Sequence, residues 1–166
     1  MADDAVVVYI KKTLLELGFR REKRRFVKKL QESEAEIEIQ NNRFDKRFHY
    51  INVEISFDED VAKREGLADR FGVWFRAESL VYGKTLNRDE QINQWHALDS
   101  SHEIKENLRF SIIDKILNVD LKLILDGWST FQGAQQIFQS GILQFNAVNH
   151  ELKSRWSSEQ KLQEME

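Results

Sequence analysis

Residues 34–39 read Glu-Ala-Glu-Ile-Glu-Ile, and residues 51–57 read Ile-Asn-Val-Glu-Ile-Ser-Phe. Both segments alternate polar and apolar side chains, which is the pattern of a β-strand with one buried face. Two further strands are predicted at residues 24–31, which are basic and mixed, and at residues 71–77. The links between the strands are short or polar, and such links favour antiparallel pairing because a parallel crossover needs about a dozen residues or more.

A first helix is predicted ahead of these strands. Apolar residues recur there at helical spacing, and Asp3 or Asp4 can cap the first turn. Gly18 follows as a residue that readily adopts the left-handed conformation. Phe19 would then fold back onto Leu14, as in a Schellman ending, and the helix would stop just before the glycine.

The C-terminal half predicts further helices. Ser100 and Glu103 have the spacing of a capping box, and apolar residues then recur at helical spacing as far as Gly127, with a short helix after it. The charged tail, residues 146–166, has few apolar residues and is predicted as a helix that docks only partly. Residues 83–100 are polar and show no clear periodicity.

Together these patterns predict one α+β domain over residues 1–166. An N-terminal helix and a four-stranded, mainly antiparallel sheet would occupy residues 1–82, packed helices residues 100–145, and the tail residues 146–166. A chain of this length can bury a substantial core unaided. The apolar residues of the segment 104–143 cover more than one helical face, so any surplus would imply a homodimer or another partner interface.

Composition limits the classes of function. The chain has no cysteine, which excludes a disulfide scaffold and a cysteine-ligated metal site. No apolar run approaches the ~20 residues of a membrane span, so we expect a cytoplasmic protein that does not enter the membrane. The net charge of −3 hides an asymmetry, because residues 1–30 carry nine bases and four acids whereas residues 31–60 carry three bases and nine acids.

The N-terminal half resembles a known family. Leu17-Gly18-Phe19 followed by two arginines, the basic segment 25–29 and the strand Ile37-Glu38-Ile39-Gln40 are similar to the opening of the bacterial family catalogued as domain of unknown function 4304. The resemblance covers roughly the first half of the chain. It implies a bacterial α+β protein, and it transfers no catalytic residue because the family has no established chemistry.

Motifs of catalysis are missing from the sequence. The chain has no P-loop, no Gly-x-Ser-x-Gly element and no dinucleotide fingerprint. Residues 102–106 begin like a zinc-protease motif with His102-Glu103, but the second histidine that the metal geometry requires is replaced by Glu106. We therefore predict no catalytic residue, no metal site and no cofactor.

Residues 20–29 hold seven bases in ten positions. Such a run could contact phosphates, which keeps nucleic-acid binding as an alternative. The chain as a whole is acidic, with a sequence pI of about 5.9, and the run lacks the interleaved aromatic residues of single-strand binders. We favour a solvated turn and an edge strand whose lysines prevent pairing with other chains.

The two-residue period of the strands places a second set of side chains on the outer face of the sheet, away from the first helix. The set is Glu34, Glu36, Glu38, Phe48, Tyr50, Asn52, Glu54 and Trp74. Aromatic anchors beside steering charges are typical of a surface that binds another protein. The C-terminal helices could instead cover the aromatic members and leave the glutamates as a solvated rim.

These features predict a non-catalytic protein that recognises another protein. The form we favour is an immunity protein that neutralises a toxin domain, often a basic nuclease, because an acidic row can steer and hold a basic partner. The alternative is a ligand-binding module or an enzyme. Its pocket would lie between the sheet and the C-terminal helices and would use Tyr50, Asn52, Trp74 and a glutamate.

Overall fold

The computed structural model describes residues 4–79, 88–141 and 147–165. Its elements in chain order are α1 (Ala5–Glu16), β1 (Arg20–Glu22), β2 (Arg25–Lys29), β3 (Ser33–Asn41), β4 (His49–Phe57), α2 (Glu59–Glu65), β5 (Phe71–Arg76), a 3-10 turn (Ala77–Ser79), α3 (Arg88–Ala97), α4 (Glu106–Asp114), a π-helical segment (Lys115–Leu121), α5 (Lys122–Gly127), α6 (Phe131–Gln139) and α7 (His150–Gln163). The predicted α+β class is confirmed, with a helix, an antiparallel sheet and a helical C-terminal half.

The sheet is a meander in which each strand pairs antiparallel with the next, in the order β1-β2-β3-β4-β5. β3 and β4, the strands with the clearest alternation, form its centre and pair from Ser33 opposite Phe57 to Asn41 opposite His49. Their apolar side chains lie on the inner face, where Ile37, Ile51, Val53 and Ile55 are fully buried.

The prediction of four strands is wrong by one. β1 and β2 form a hairpin that turns through Lys23 and Arg24, and Lys23 has a positive φ of 57°. β1 has only three residues, all of them exposed, so it has no alternation of polarity by which its sequence could be recognised.

α1 has the ends that were predicted. The Asp4 carboxylate accepts a hydrogen bond from the amide of Val6 at 2.8 Å. At the other end Gly18 has φ of 86°, and the amide of Phe19 donates to the carbonyl of Leu14 at 3.0 Å. This is the hydrogen-bond pattern of a Schellman motif, and the predicted helix end is confirmed.

The predicted capping box is wrong. α4 begins at Glu106 with Lys105 at its N-cap, so Glu103 lies in the preceding loop. The hydroxyl of Ser100 donates to Asp4 instead of capping a helix. α3 occupies part of the polar region that showed no periodicity.

One cluster of buried apolar side chains joins the inner face of the sheet, α1 and the C-terminal helices. Phe57 of β4 stacks on Trp128 with ring centroids 5.7 Å apart, and Trp156 of α7 contacts Trp128 edge-on at 5.9 Å. The C-terminal helices therefore pack on the same side of the sheet as α1. Trp74, on the other side, stays 45 % exposed.

The tail is helical and docks through one face. Leu152 and Trp156 of α7 are buried, whereas Leu162 near its end is exposed. Arg155 ties the helix to α2 by donating to the carbonyl of Glu65 at 2.7 Å. No helix in the described ranges has the length and apolar character that spanning a membrane requires.

Candidate functional site

Five of the eight nominated residues come together on the outer face of the sheet. Glu36 faces Glu54 and Glu38 faces Asn52 across β3 and β4, and Glu54 faces Trp74 across β4 and β5. With Arg25 they line a shallow cavity of about 60 Å³. We call Glu36, Glu38, Asn52, Glu54 and Trp74 the outer cluster.

The outer cluster carries an excess of negative charge, since three carboxylates lie beside the single positive charge of Arg25. Glu36 accepts a hydrogen bond from Nη1 of Arg25 at 2.5 Å. Glu38 and Glu54 are exposed and form no ion pair with any residue that the structure describes. Since Glu36 and Glu54 occupy directly opposed positions, their like charges repel each other.

Bases of β2 border the glutamate row on one side. The register sets Arg25 opposite Glu38 and Lys29 opposite Glu34. The ammonium of Lys29 also contacts the carboxylate of Asp58 at 2.6 Å. Glu34 thus lies beside bases at the far end of the row, outside the outer cluster.

The other two nominated residues, Phe48 and Tyr50, belong to a different place. Their rings meet edge-on with centroids 5.0 Å apart, and the Arg76 guanidinium lies 3.9 Å from the Tyr50 ring. They line a cavity of about 240 Å³, which we call the aromatic cavity, together with Arg76, Glu78, Ser79 and Trp95. The prediction of one continuous acidic and aromatic face therefore becomes two sites, one acidic with a single indole and one largely aromatic.

Glu78, which lines the aromatic cavity, was not predicted from the sequence as a functional residue. Its side chain is 2 % exposed, and Oε2 accepts a hydrogen bond from the amide of Ile51 at 3.0 Å. Its Oε1 is buried and has no hydrogen-bond partner among the described residues. Burial raises the pKa of Glu78 to about 7, although two hydrogen bonds from backbone amides and the charge of Arg76 act in the opposite direction. A glutamate just after a strand has no local signal that would reveal such burial.

The basic run at residues 20–29 is divided among separate surroundings. Strand alternation sends Arg20 and Arg25 to the outer face and Arg21 to the inner one. The Lys28 ammonium donates to the carbonyl that ends α1 at 2.6 Å. The run therefore does not form the single basic surface that a long nucleic-acid contact needs.

The incomplete zinc motif has no helix to support it. His102 lies in the loop before α4, where its ring stacks on His96 with centroids 3.7 Å apart. Within the described part of the chain no three His, Asp or Glu side chains are grouped so as to hold a metal ion.

Comparison of the chain with models of known protein families, with curated proteins and with solved structures finds no match. The resemblance to domain of unknown function 4304 therefore stays a prediction.

Proposed function

We propose that this protein binds another protein through the outer cluster and catalyses no reaction. The partner we infer is a basic toxin domain, which would make the chain an immunity protein. The observation that carries the proposal is the exposed indole of Trp74 beside two carboxylates, Glu38 and Glu54, that have no ion-pair partner in the described ranges.

A bound partner would stabilise both the indole and the carboxylates of the outer cluster. The Trp74 ring, 45 % exposed in the free protein, would lose its contact with water. A lysine or arginine of the partner placed over Glu54 would also offset its repulsion with Glu36. Such charge pairs accelerate association and fix its orientation.

The borders of the outer cluster restrict the shape of the partner. Arg25 lies on the β2 side, and Arg76 lies opposite Asn52 on the β5 side. These two bases would repel a wide basic surface. We therefore expect the partner to present one or two basic side chains next to an apolar patch.

Two tryptophans of equal exposure allow a matched test, since Trp74 and Trp95 are each 45 % exposed. The chain would be co-expressed with the protein encoded by the adjacent gene, and complex formation and growth rescue would be measured. We expect Trp74→Ala to weaken the complex about tenfold or more, as for an interface hot spot, and Trp95→Ala to change it less than about twofold. Absence of both complex and rescue, or an equal loss in the two variants, would contradict the proposal.

A second candidate function is the binding of a small molecule in the aromatic cavity. The unpaired Oε1 of Glu78 favours it, because buried polar atoms without a partner commonly meet a ligand or water. The rings of Phe48, Tyr50 and Trp95 line the same cavity as Glu78. The site therefore suits a planar ring that carries an N–H donor.

Guanosine has this chemistry and serves as a probe. Its titration would be followed by tryptophan fluorescence in the wild-type chain and in Glu78→Gln, which exchanges a carboxylate oxygen for an amide of the same size. We expect saturable quenching in the wild type and an affinity about tenfold lower in the variant. No quenching at millimolar guanosine would remove this candidate and leave the outer cluster untouched.

A further inference from the structure

A cleft of about 560 Å³ lies between α1 and the adjoining ends of β1 to β4. It shares Glu38 with the outer cluster and no lining residue with the aromatic cavity. Its volume falls within the range of roughly 300–1,000 Å³ that is usual for ligand sites. We call it the basic cleft. Its charged lining residues are Asp4, Lys11, Arg21, Arg24, Glu38 and Lys46.

The bases of the cleft come from three distant segments. Lys11 lies on α1, Arg21 and Arg24 lie on the β1–β2 hairpin, and Lys46 lies in the loop before β4. Four bases against two acids give the lining a net charge of +2 with histidine neutral. Arg24 and Lys46 form no ion pair within the described part of the chain, so their charges are available to a ligand.

The carboxylate of Asp4 offsets only part of the positive charge of the cleft, because its oxygens already accept hydrogen bonds within the protein. It already accepts hydrogen bonds from the amide of Val6 at 2.8 Å and from the hydroxyl of Ser100. Nε2 of His49 lies 3.4 Å from its second oxygen. Glu38, the other acid, is exposed and lies opposite Arg25 of β2.

His49 closes one end of the cleft in an arrangement that resembles a catalytic triad without working as one. Its Nδ1 faces the amide oxygen of Asn41 at 2.9 Å, and its Nε2 lies 3.2 Å from the hydroxyl oxygen of Ser100. A nucleophilic serine must give its proton to the histidine, but Ser100 donates to Asp4. The cluster therefore anchors the start of α1 to β4, and the cleft is a site for binding rather than for hydrolysis.

We propose that the basic cleft binds a small ligand that carries phosphate groups, about the size of a nucleoside diphosphate. Arg21, Arg24 and Lys46 contact the phosphates, because guanidinium groups match phosphate oxygens through paired hydrogen bonds. Ile39, which is half-buried and also lines the cleft, contacts the uncharged part of the ligand. A nucleic-acid strand fits less well, since the neighbouring arginines of the hairpin are turned to the opposite face of the sheet.

The alternation of the hairpin provides matched variants. Arg21→Gln with Arg24→Gln removes two charges from the cleft. Arg20→Gln with Lys29→Gln removes two charges from the outer face and leaves Arg25, which lies opposite Glu38, in place. The full chain and both double variants would be titrated calorimetrically with inorganic pyrophosphate and with adenosine diphosphate. We expect the cleft pair to weaken binding about tenfold or more and the outer pair to change it less than about threefold.

Three outcomes would overturn the proposal. In the first, neither probe binds to the wild type. In the second, both double variants lose affinity to the same extent, which would show a response to overall charge alone. In the third, a single-stranded RNA binds much more tightly than either probe and with a steep salt dependence, which would indicate a nucleic-acid surface. The variant Lys46→Gln and thermal melts of all proteins separate loss of the site from loss of the fold. The variant that lacks Arg21 and Arg24 would also be tested for its complex with the protein partner. A complex that forms normally would show that the basic cleft and the outer cluster act independently.

Discussion

The two faces of the sheet differ in how they are assembled. The outer cluster is built from neighbouring strands, with all its residues on β3, β4 and β5, so strand alternation and register are enough to bring them together. The basic cleft takes its bases from α1, a hairpin and a loop. A surface generated by a local period is visible in the sequence, whereas a concavity formed by remote segments exists only once the chain has folded.

The largest difference between the faces is in folding stability. Ile55 on the inner face is fully buried, while its neighbour Ser56 on the outer face is partly exposed. We expect Ile55→Ala to lower the free energy of unfolding by about 2–5 kcal/mol, because the methyl groups lost leave a cavity. Ser56→Ala, the matched variant on the outer face, should change stability by less than about 0.5 kcal/mol. Urea unfolding of the two variants measures the difference. Equal losses would mean that the outer face is also covered in solution.

Glu78, buried beside the outer face, should give the next largest effect. Its pKa is about 7 in the folded chain against an ordinary value of 4.5. Between these pH values the unfolded chain has released the proton while the folded chain keeps it, so stability falls as pH rises through this window. The loss attributable to Glu78 is about 3 kcal/mol in total.

Unfolding of the wild type and of Glu78→Gln, measured at about pH 5 and about pH 8, isolates this dependence. The variant should lack the decline because its amide does not titrate. If both proteins lose the same stability with rising pH, the carboxyl group of Glu78 is not the cause.

Asp4, on the other side of the sheet, should make folding stability change with pH in the opposite direction. Burial raises its pKa, but the hydrogen bonds from Ser100, from the Val6 amide and from His49 outweigh burial, and the pKa is lowered. Its contribution is therefore complete above the ordinary value of 3.8 and disappears as pH falls below it.

The Asp4→Ala variant tests the pH dependence of the stability that Asp4 contributes. It should be less stable than the wild type by about 1 kcal/mol near neutral pH, since the helix cap is lost. The gap should narrow in acid, where the wild-type carboxyl group takes up its proton. A gap that stays constant across the titration would show that charge plays no part in the cap.

The features that could be predicted from the sequence are those with a local cause. Gly18 ends α1 through its own backbone conformation, and Phe19 follows it in the chain. The alternation in β3 and β4 determines their faces without reference to any other segment. The β3 and β4 members of the outer cluster follow directly from that alternation.

The features that could not be predicted depend on distant contacts. Ser100 has a helix-cap spacing, yet its hydroxyl binds Asp4, 96 residues away. Glu78 is buried because Ile51 supplies an amide and α3 packs against its turn. β1 is held by pairing with β2. In each case a tertiary partner determines the environment, and the local residues carry no sign of it.

The smallest expected effect separates folding from binding on the outer face. Glu54→Gln removes one of two opposed carboxylates, so we expect the free protein to gain about 0.2–0.5 kcal/mol of stability, more at low salt than at high salt. Glu34→Gln is the matched control on the same row, since Glu34 lies opposite Lys29 and Ser56 and should gain nothing. If the outer cluster binds a basic partner, Glu54→Gln should also slow association with it, which stopped-flow measurement can detect. A variant that is more stable yet binds more slowly would show that the repulsion between Glu36 and Glu54 is retained for recognition, because folding alone would favour its removal.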